Sequence, residues 1–242
     1  MSRLNSIESD IALNHAPARD GGLGIIWFDG THVGAESLAL SEQLKTQLDQ
    51  IEEDGNTALL VLRHLCVASS THAHTPLGID EHRHLEQQIQ RMESLPVVSV
   101  VWVDGPCAGG PFELAVAADL CFAAVSASFR CPQVGEGHLP GLSVNRLPQL
   151  IGARATRRLL LFGETWGAER ALTAGLVDGM LDADQFDDYM RDLAARLPQN
   201  DGVSLKMCRR LINEAHCTDY ETGVGHFIAA QTRCRDATRE RF

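Results

Sequence analysis

A carboxylate and two glycines near the middle of the sequence are the residues best suited to chemistry. Glu113 lies just after the adjacent Gly109 and Gly110. An apolar β-branched run at 97–103 predicts a strand buried on both faces, and the residues from Phe112 onward predict a buried helix. The first N–H groups of a helix have no partner within it, and glycines let a ligand approach closely. This strand-to-helix corner therefore predicts a site that holds an anionic oxygen and supplies an acid or a base.

The composition is that of an ordinary globular chain. Of its 242 residues, 44% are hydrophobic, which is enough for one large core. The formal net charge of −11 repels phosphates and argues against broad nucleic-acid binding. We therefore expect local groups to hold any anionic ligand.

The cysteines and the hydropathy pattern favour a cytoplasmic location. The seven cysteines form no CxxC pair, and their odd number does not fit a closed disulfide framework. No apolar run is long enough to span a bilayer, and the first residues lack the apolar core of a signal peptide. We expect a protein that is not exported and has no membrane partner.

Strands alternate with helices along most of the chain. We predict strands at 22–30, 57–65 and 97–103 and two within 118–131, and helices at 36–53, 79–95, from 112, 144–162, 167–175 and 184–197. Such alternation implies parallel βαβ crossovers and an α/β core. We divide the chain into a flexible arm at 1–22, the core at 23–198 and a helical subdomain at 199–242, which would serve oligomerisation or cover the ligand.

Three ordered segments resemble the crotonase (enoyl-CoA hydratase/isomerase) superfamily. They are DGPCAGGPFELAVAADLCFAA, ASFRCPQVGEGHLPGLSVNRLPQLIG and LLLFGETWGAERALTAGLVDGML. The resemblance, which runs from Gly24 to the C-terminus, implies a spiral of ββα units, trimers or hexamers, and acyl thioesters of coenzyme A as substrates. It also implies two backbone N–H groups that stabilise an enolate, and such preset donors are worth ~2.7–4 kcal/mol each.

The resemblance assigns the two N–H donors. Gly110 matches the second donor, beside Gly109. The first belongs to the loop after the second predicted strand, where the Ala-Gly-x-Asp pattern typical of the family is missing. Ungapped counting places His72, Ala73 and His74 there, which makes Ala73 the first donor and lets the two histidines line the thioester. A gap in this loop would shift that assignment.

The acid/base residues only partly match the family. Glu113 matches one of the two glutamates of the hydratases, but Gln133, directly after Pro132, occupies the position of the other. A glutamine orients substrate or water through hydrogen bonds but does not relay a proton at neutral pH. Glu136 and His138 are alternative proton-transfer groups. The alternative interpretation is an exposed turn carboxylate for Glu136 and a structural role for His138.

Other substrate contacts are expected nearby and in the C-terminal region. Pro132, His138 and Gly141 are predicted to contact the substrate. The loop DGTHVGAES has no Arg or Lys where the family holds the nucleotide, so phosphopantetheine on an acyl carrier protein is an alternative to coenzyme A. If coenzyme A is the carrier, its phosphates would meet basic residues of the C-terminal region. The other interpretation of these residues is a solvated helix face. They are Lys206, Arg209, Arg210, Arg233 and Arg235.

Two function hypotheses follow. The first is a hydratase, dehydratase or isomerase of acyl thioesters that uses Glu113, without a metal or any cofactor beyond the substrate's own carrier, and the altered loops favour secondary metabolism. The second is a catalytically silent subunit that binds a thioester or a partner. The sequence has no G-x-S-x-G elbow, which argues against an α/β hydrolase. No G-x-G-x-x-G follows a first strand, which argues against a Rossmann enzyme.

Overall fold

The main sheet is parallel and contains five strands. A computed structural model describes residues 24–30, 37–55, 57–66, 78–197 and 202–239. The main-sheet strands, in spatial order, are β1 (Ile25–Asp29), β2 (Leu59–Arg63), β3 (Val98–Val103), β5 (Leu120–Ala123) and β8 (Gly179–Met180). A smaller sheet contains β4 (Pro106–Cys107), β6 (Ser128–Phe129) and β7 (Trp166–Gly167), in which β4 and β6 are parallel and β6 and β7 antiparallel.

Helices follow most of the strands. They are α1 (Ser37–Asp54), α2 (Ile79–Ser94), α3 (Gly110–Ala117), α4 (Ser143–Leu150), α5 (Gly152–Leu161), α6 (Ala168–Ala174), α7 (Ala183–Arg196), α8 (Gly202–Glu214) and α9 (Tyr220–Arg239). The predicted α/β class is thereby confirmed. Among the described residues, no helix has both the length and the apolar character to cross a membrane.

The main sheet is buried on both faces. One face packs in a large cluster that includes Leu62, Val101 and Phe112 of α3. The other face packs against α7, where Phe186 stacks on Trp102 with ring centroids 4.8 Å apart. All six residues of β3 are buried, which explains its continuous apolar run in place of an alternating one.

The structure corrects one predicted helix. The apolar spacing over 144–162 predicts one continuous helix, but the structure has α4 and α5, with the break at Ile151 and Gly152. Gly152 has φ 75°, a left-handed conformation that ends α4 and that glycine adopts without a steric penalty. The arm at 1–22 lies outside the described residues, as does most of the loop after β2.

Helix α8 is attached to the core through one buried cation. Arg209 is 5% exposed, pairs with Asp119, and donates to the carbonyl oxygens of Met92 and Leu95. Neither alternative for the basic set, a phosphate contact or a solvated helix face, describes Arg209, because its guanidinium is buried and paired in the core. Helix α9 buries only Ala230 among its described side chains. The oligomerisation role of this region stays a prediction.

Candidate active site

The corner between β4 and α3 has the geometry of a donor site. Gly109, at the N-cap of α3, adopts φ 62° and ψ −134°, which a residue with a Cβ adopts only under strain. Gly110 is the first residue of the helix, so its N–H has no acceptor within the helix. Pro111 follows and has no N–H at all. The Gly110 N–H therefore lacks an acceptor within the helix, and its role as a donor to the thioester oxygen stays a prediction.

Glu113 is a buried carboxyl with an incomplete set of partners. It is 2% exposed, and its Oε2 accepts the N–H of Ser143 at 3.0 Å. Its Oε1 is buried and has no hydrogen-bond partner among the described residues. Burial raises the pKa of Glu113 to about 7, against the lowering effect of Ser143, while Glu86 raises it further and Arg146 lowers it. Such a carboxyl gives up and takes back a proton near neutral pH.

Gly141 lies against this carboxyl. A Cβ at this position would stand 3.0 Å from Oε2 of Glu113, 3.1 Å from its Cδ and 3.3 Å from Oε1 of Glu86. Glycine therefore creates the space in which the Glu113 carboxyl lies. Gly141 was predicted as a substrate contact, and the contact that the structure shows is with Glu113.

A second carboxylate near Glu113 is absent from the sequence-based prediction. Glu86 of α2 binds Arg146 of α4, with both carboxylate oxygens 3.1 Å from Nη1 and Oε2 also 3.1 Å from Nη2. The N–H of Leu142 donates to its Oε1 at 3.2 Å. Arg146 also donates from Nε to Glu93 at 3.1 Å. The sequence shows Glu86 as one charged residue on the polar face of an amphipathic helix, which does not distinguish it as part of the site.

Gln133 is engaged by a neighbouring thiol. Cys131, fully buried, donates from Sγ to Oε1 of Gln133 at 3.0 Å. Burial and the nearby Glu113 raise the pKa of the Cys131 thiol to about 12, so it stays protonated near neutral pH. Pro132 between them is buried. The arrangement holds the Gln133 amide close to the corner but supplies no second proton carrier.

Glu136 and His138 are exposed in the turn that follows. The backbone N–H groups of both donate to the carbonyl oxygen of Gln133, at 3.1 Å and 2.8 Å. Among the described residues, no hydrogen bond joins either side chain to Glu113. The exposed-turn interpretation therefore describes their surroundings in this structure.

The loop residues of the predicted site lie outside the described residues. This applies to His72, Ala73 and His74, so the first N–H donor stays a prediction. Within the part of the chain that is described, no three His, Cys, Asp or Glu side chains come together as metal ligands.

The fold is that of the crotonases, as comparison with solved structures shows. An enoyl-CoA hydratase from Bacillus anthracis aligns with a TM-score of 0.73 at 23% identity, covering 86% of each chain. An enoyl-CoA hydratase/isomerase from Cupriavidus metallidurans CH34 aligns with a TM-score of 0.76 at 21% identity, covering 88% of this chain and 86% of that one. At such identities the likeness defines the fold alone.

The sequence comparisons define the family. The enoyl-CoA hydratase/isomerase family matches residues 74–226. The chain is 31% identical over 204 residues to an enoyl-CoA-hydratase of Amycolatopsis orientalis, covering 84% of this chain and 93% of the relative. It is 26% identical over 215 residues to a probable enoyl-CoA hydratase of Bacillus subtilis. The chain belongs to the enoyl-CoA hydratase/isomerase family.

Proposed function

We propose that this protein is an enoyl-thioester hydratase or double-bond isomerase in which Glu113 moves the proton and the Gly110 N–H binds the thioester oxygen. The observation that carries the proposal is the buried Glu113 carboxyl, which has a pKa of about 7 and one oxygen that no described residue hydrogen-bonds. It stands in the first turn of the helix that begins at Gly110. The names of the relatives, which are hydratases and isomerases, support the same substrate class.

A single carboxyl suffices for either reaction. In isomerisation, the carboxylate removes a proton from Cα of a β,γ-enoyl thioester and returns it to Cγ, so the double bond moves into conjugation. In hydration, it takes a proton from water as the water oxygen bonds to Cβ, and the enolate then takes a proton at Cα. Both pass through an enolate whose oxygen carries the developing charge that N–H donors stabilise.

Gln133 adds no second proton carrier to Glu113. Its amide oxygen accepts the Cys131 thiol, and an amide does not exchange protons near neutral pH. The role proposed for Gln133 is therefore to orient substrate or water. No cofactor beyond the carrier of the acyl group enters this scheme.

The carrier is proposed to be coenzyme A or carrier-protein phosphopantetheine, held in part by the C-terminal helices. Of the predicted basic set, Arg209 is engaged in the core, and Arg210 donates to Glu214 at 2.6 Å. This leaves fewer cations for a nucleotide phosphate and keeps the carrier-protein alternative open to test. A homotrimer or hexamer remains part of the proposal.

Turnover by variants of Glu113 tests the proposal. Crotonyl-CoA and a β,γ-enoyl-CoA are offered to the protein and to Glu113→Gln, and loss or gain of the conjugated thioester absorbance is followed. We expect the variant to lose roughly 100-fold or more in kcat, while calorimetry shows that crotonyl-CoA still binds. The matched control is Glu53→Gln on the exposed face of α1, which keeps wild-type turnover.

The outcomes separate the two hypotheses. Unchanged turnover in Glu113→Gln would overturn the role of Glu113. The catalytically silent subunit predicts binding of acyl-CoA or acyl-pantetheine without turnover of any of them. A preference for acyl-pantetheine over acyl-CoA would identify a carrier protein as the substrate's source.

A further inference from the structure

Two carboxylates are held by neighbouring residues of one backbone segment. The N–H of Leu142 donates to Glu86, and the N–H of the next residue, Ser143, donates to Glu113. Gly141 precedes both and has oxygens of both carboxylates within 3.3 Å of the position of a Cβ. The segment thus lies between the carboxylates and fixes their spacing.

The two carboxylates differ in how completely they are paired. Both oxygens of Glu86 accept hydrogen bonds from Arg146, and Oε1 also accepts the Leu142 N–H. Within the described part of the chain, Glu113 has a hydrogen-bond partner on Oε2 and none on Oε1. When two carboxylates with such different surroundings lie together, the more completely paired one stays ionised and the other exchanges a proton. Here Glu86 is the fixed anion and Glu113 is the proton carrier.

The charged groups that face Glu113 come from three elements. Helix α2 supplies Glu86, with Glu93 beyond it on the far side of Arg146, and α4 supplies Arg146 itself. The segment after β6 supplies Cys131, whose thiol is protonated because its pKa is about 12. Among the residues that the structure describes, the charges that act on Glu113 are therefore one anion, Glu86, and the cation that Glu86 binds, Arg146.

We propose that Glu86, held by Arg146, is a positioning residue that fixes the orientation of the Glu113 carboxyl through the Gly141–Ser143 segment and places an anion beside it. The proposal rests on the role of Glu113 as the acid/base in the proposed function. Glu86 acts through the Gly141–Ser143 segment and through its charge. The hydratases of the family have a second glutamate at the position of Gln133. In this protein Glu86 is the second carboxylate that influences the protonation of Glu113, and it does not carry a proton itself.

Charge removal at the two partners has opposite consequences. An anion beside a carboxyl favours the protonated form, and a cation favours the ionised form. Glu86→Gln is therefore expected to move the titration of Glu113 about one pH unit toward acid. Arg146→Gln moves it toward alkaline pH. A purely structural role would give both variants the same direction of change or none.

Infrared titration measures the protonation of Glu113 as a function of pH without a substrate. The stretching band of the protonated carboxyl is followed with pH, and the spectrum of the same protein carrying Glu113→Gln is subtracted to isolate Glu113. Glu86→Asp keeps the charge and is expected to return the titration toward that of the wild type. Glu93→Gln removes the other partner of Arg146 and serves as the matched control, with a much smaller shift.

Kinetics with crotonyl-CoA connect the titration to turnover. In Glu86→Gln, the inflection of the kcat–pH profile follows the infrared midpoint, and kcat falls roughly tenfold while KM is nearly unchanged. An unchanged or alkaline-shifted infrared midpoint in Glu86→Gln overturns the positioning role. If the midpoint shifts as expected but the wild type turns over no enoyl-CoA, the positioning role stands and the proposed function fails. If Arg146→Gln does not fold, Glu86→Gln and Glu86→Asp decide the matter.

Discussion

The two ends of helix α3 carry carboxylates with contrasting surroundings. Glu113, in the first turn, has one hydrogen bond and one buried oxygen without a partner among the described residues. Asp119, just beyond the last turn, accepts the N–H and the hydroxyl of Ser99 at 2.7 and 2.8 Å and two bonds from Arg209, at 2.9 and 2.8 Å.

The difference separates a structural carboxylate from a chemical one. The four bonds of Asp119 fasten the end of α3 to β3 and α8, and both of its oxygens are used in holding the fold. Glu113 is buried with one oxygen that no described residue hydrogen-bonds, and this desolvation raises its pKa. The same helix thus uses one acid to hold the fold and leaves the other to exchange protons.

The largest expected effect is the loss of the structural pair. Arg209→Met leaves Asp119 with Ser99 alone and removes the donor to the carbonyl oxygens of Met92 and Leu95. Breaking such a buried pair from one side costs about 3 kcal/mol, measured as the free energy of unfolding in denaturant. The folded variant keeps its kcat toward crotonyl-CoA.

Arg210→Met is the matched control for this prediction. Arg210 is the next residue of α8, is exposed, and pairs with Glu214 on the surface. Its removal costs less than about 1 kcal/mol. Equal costs for the two variants would remove the distinction between a structural and a chemical end of α3.

The second prediction is that Glu113 destabilises the fold at higher pH. Its pKa is about 7 in the folded state, against 4.5 for an ordinary glutamate. Between these values the unfolded chain loses the proton that the folded chain keeps, so the stability falls as pH rises, and above pH 7 the deficit stays constant. The deficit amounts to roughly 3 kcal/mol.

Glu113→Gln is expected to remove this dependence. Relative to the wild type, the variant gains stability as pH rises from about 5 to 7 and little more above that. Unfolding free energies measured across this range, with Glu53→Gln as the control, check the prediction. A difference between variant and wild type that is independent of pH would show that Glu113 titrates normally.

The sequence predicts the parts of the fold whose pattern is local and long. The run at 97–103 predicts β3, and the spacing of apolar residues predicts α1, α2 and α7. The break at Gly152 was missed because apolar residues keep the helical spacing on both sides of it. The two-residue strands β4, β7 and β8 are too short to show any periodicity, so their pairing depends on the tertiary fold.

The candidate site likewise contains residues that the local sequence identifies and residues whose role depends on tertiary packing. Gly110 and Glu113 lie within one turn of the same short helix, so the local pattern and the family motif are enough to single them out. Glu86 was not, because its role depends on how α2 packs against α3 and α4, and in the sequence it resembles any charge on a solvated helix face. The contact between Cys131 and Gln133 likewise depends on burial that their spacing does not reveal.

The smallest expected effect on stability, and the finest test of the comparison, concerns Gly141. In Gly141→Ala the new methyl group meets Glu113 at 3.0 Å, so the carboxyl shifts by a few tenths of an ångström. Such crowding costs about 1 kcal/mol, while kcat toward crotonyl-CoA falls roughly tenfold because the proton carrier is misplaced. Gly179→Ala is the matched control: its methyl group meets the ring of Phe122 at 3.2 Å, far from any step of the chemistry proposed for Glu113. Gly179→Ala should lose similar stability and keep its kcat. An equal fall of kcat in both variants would mean that crowding anywhere in the core limits turnover, and not the placement of Glu113.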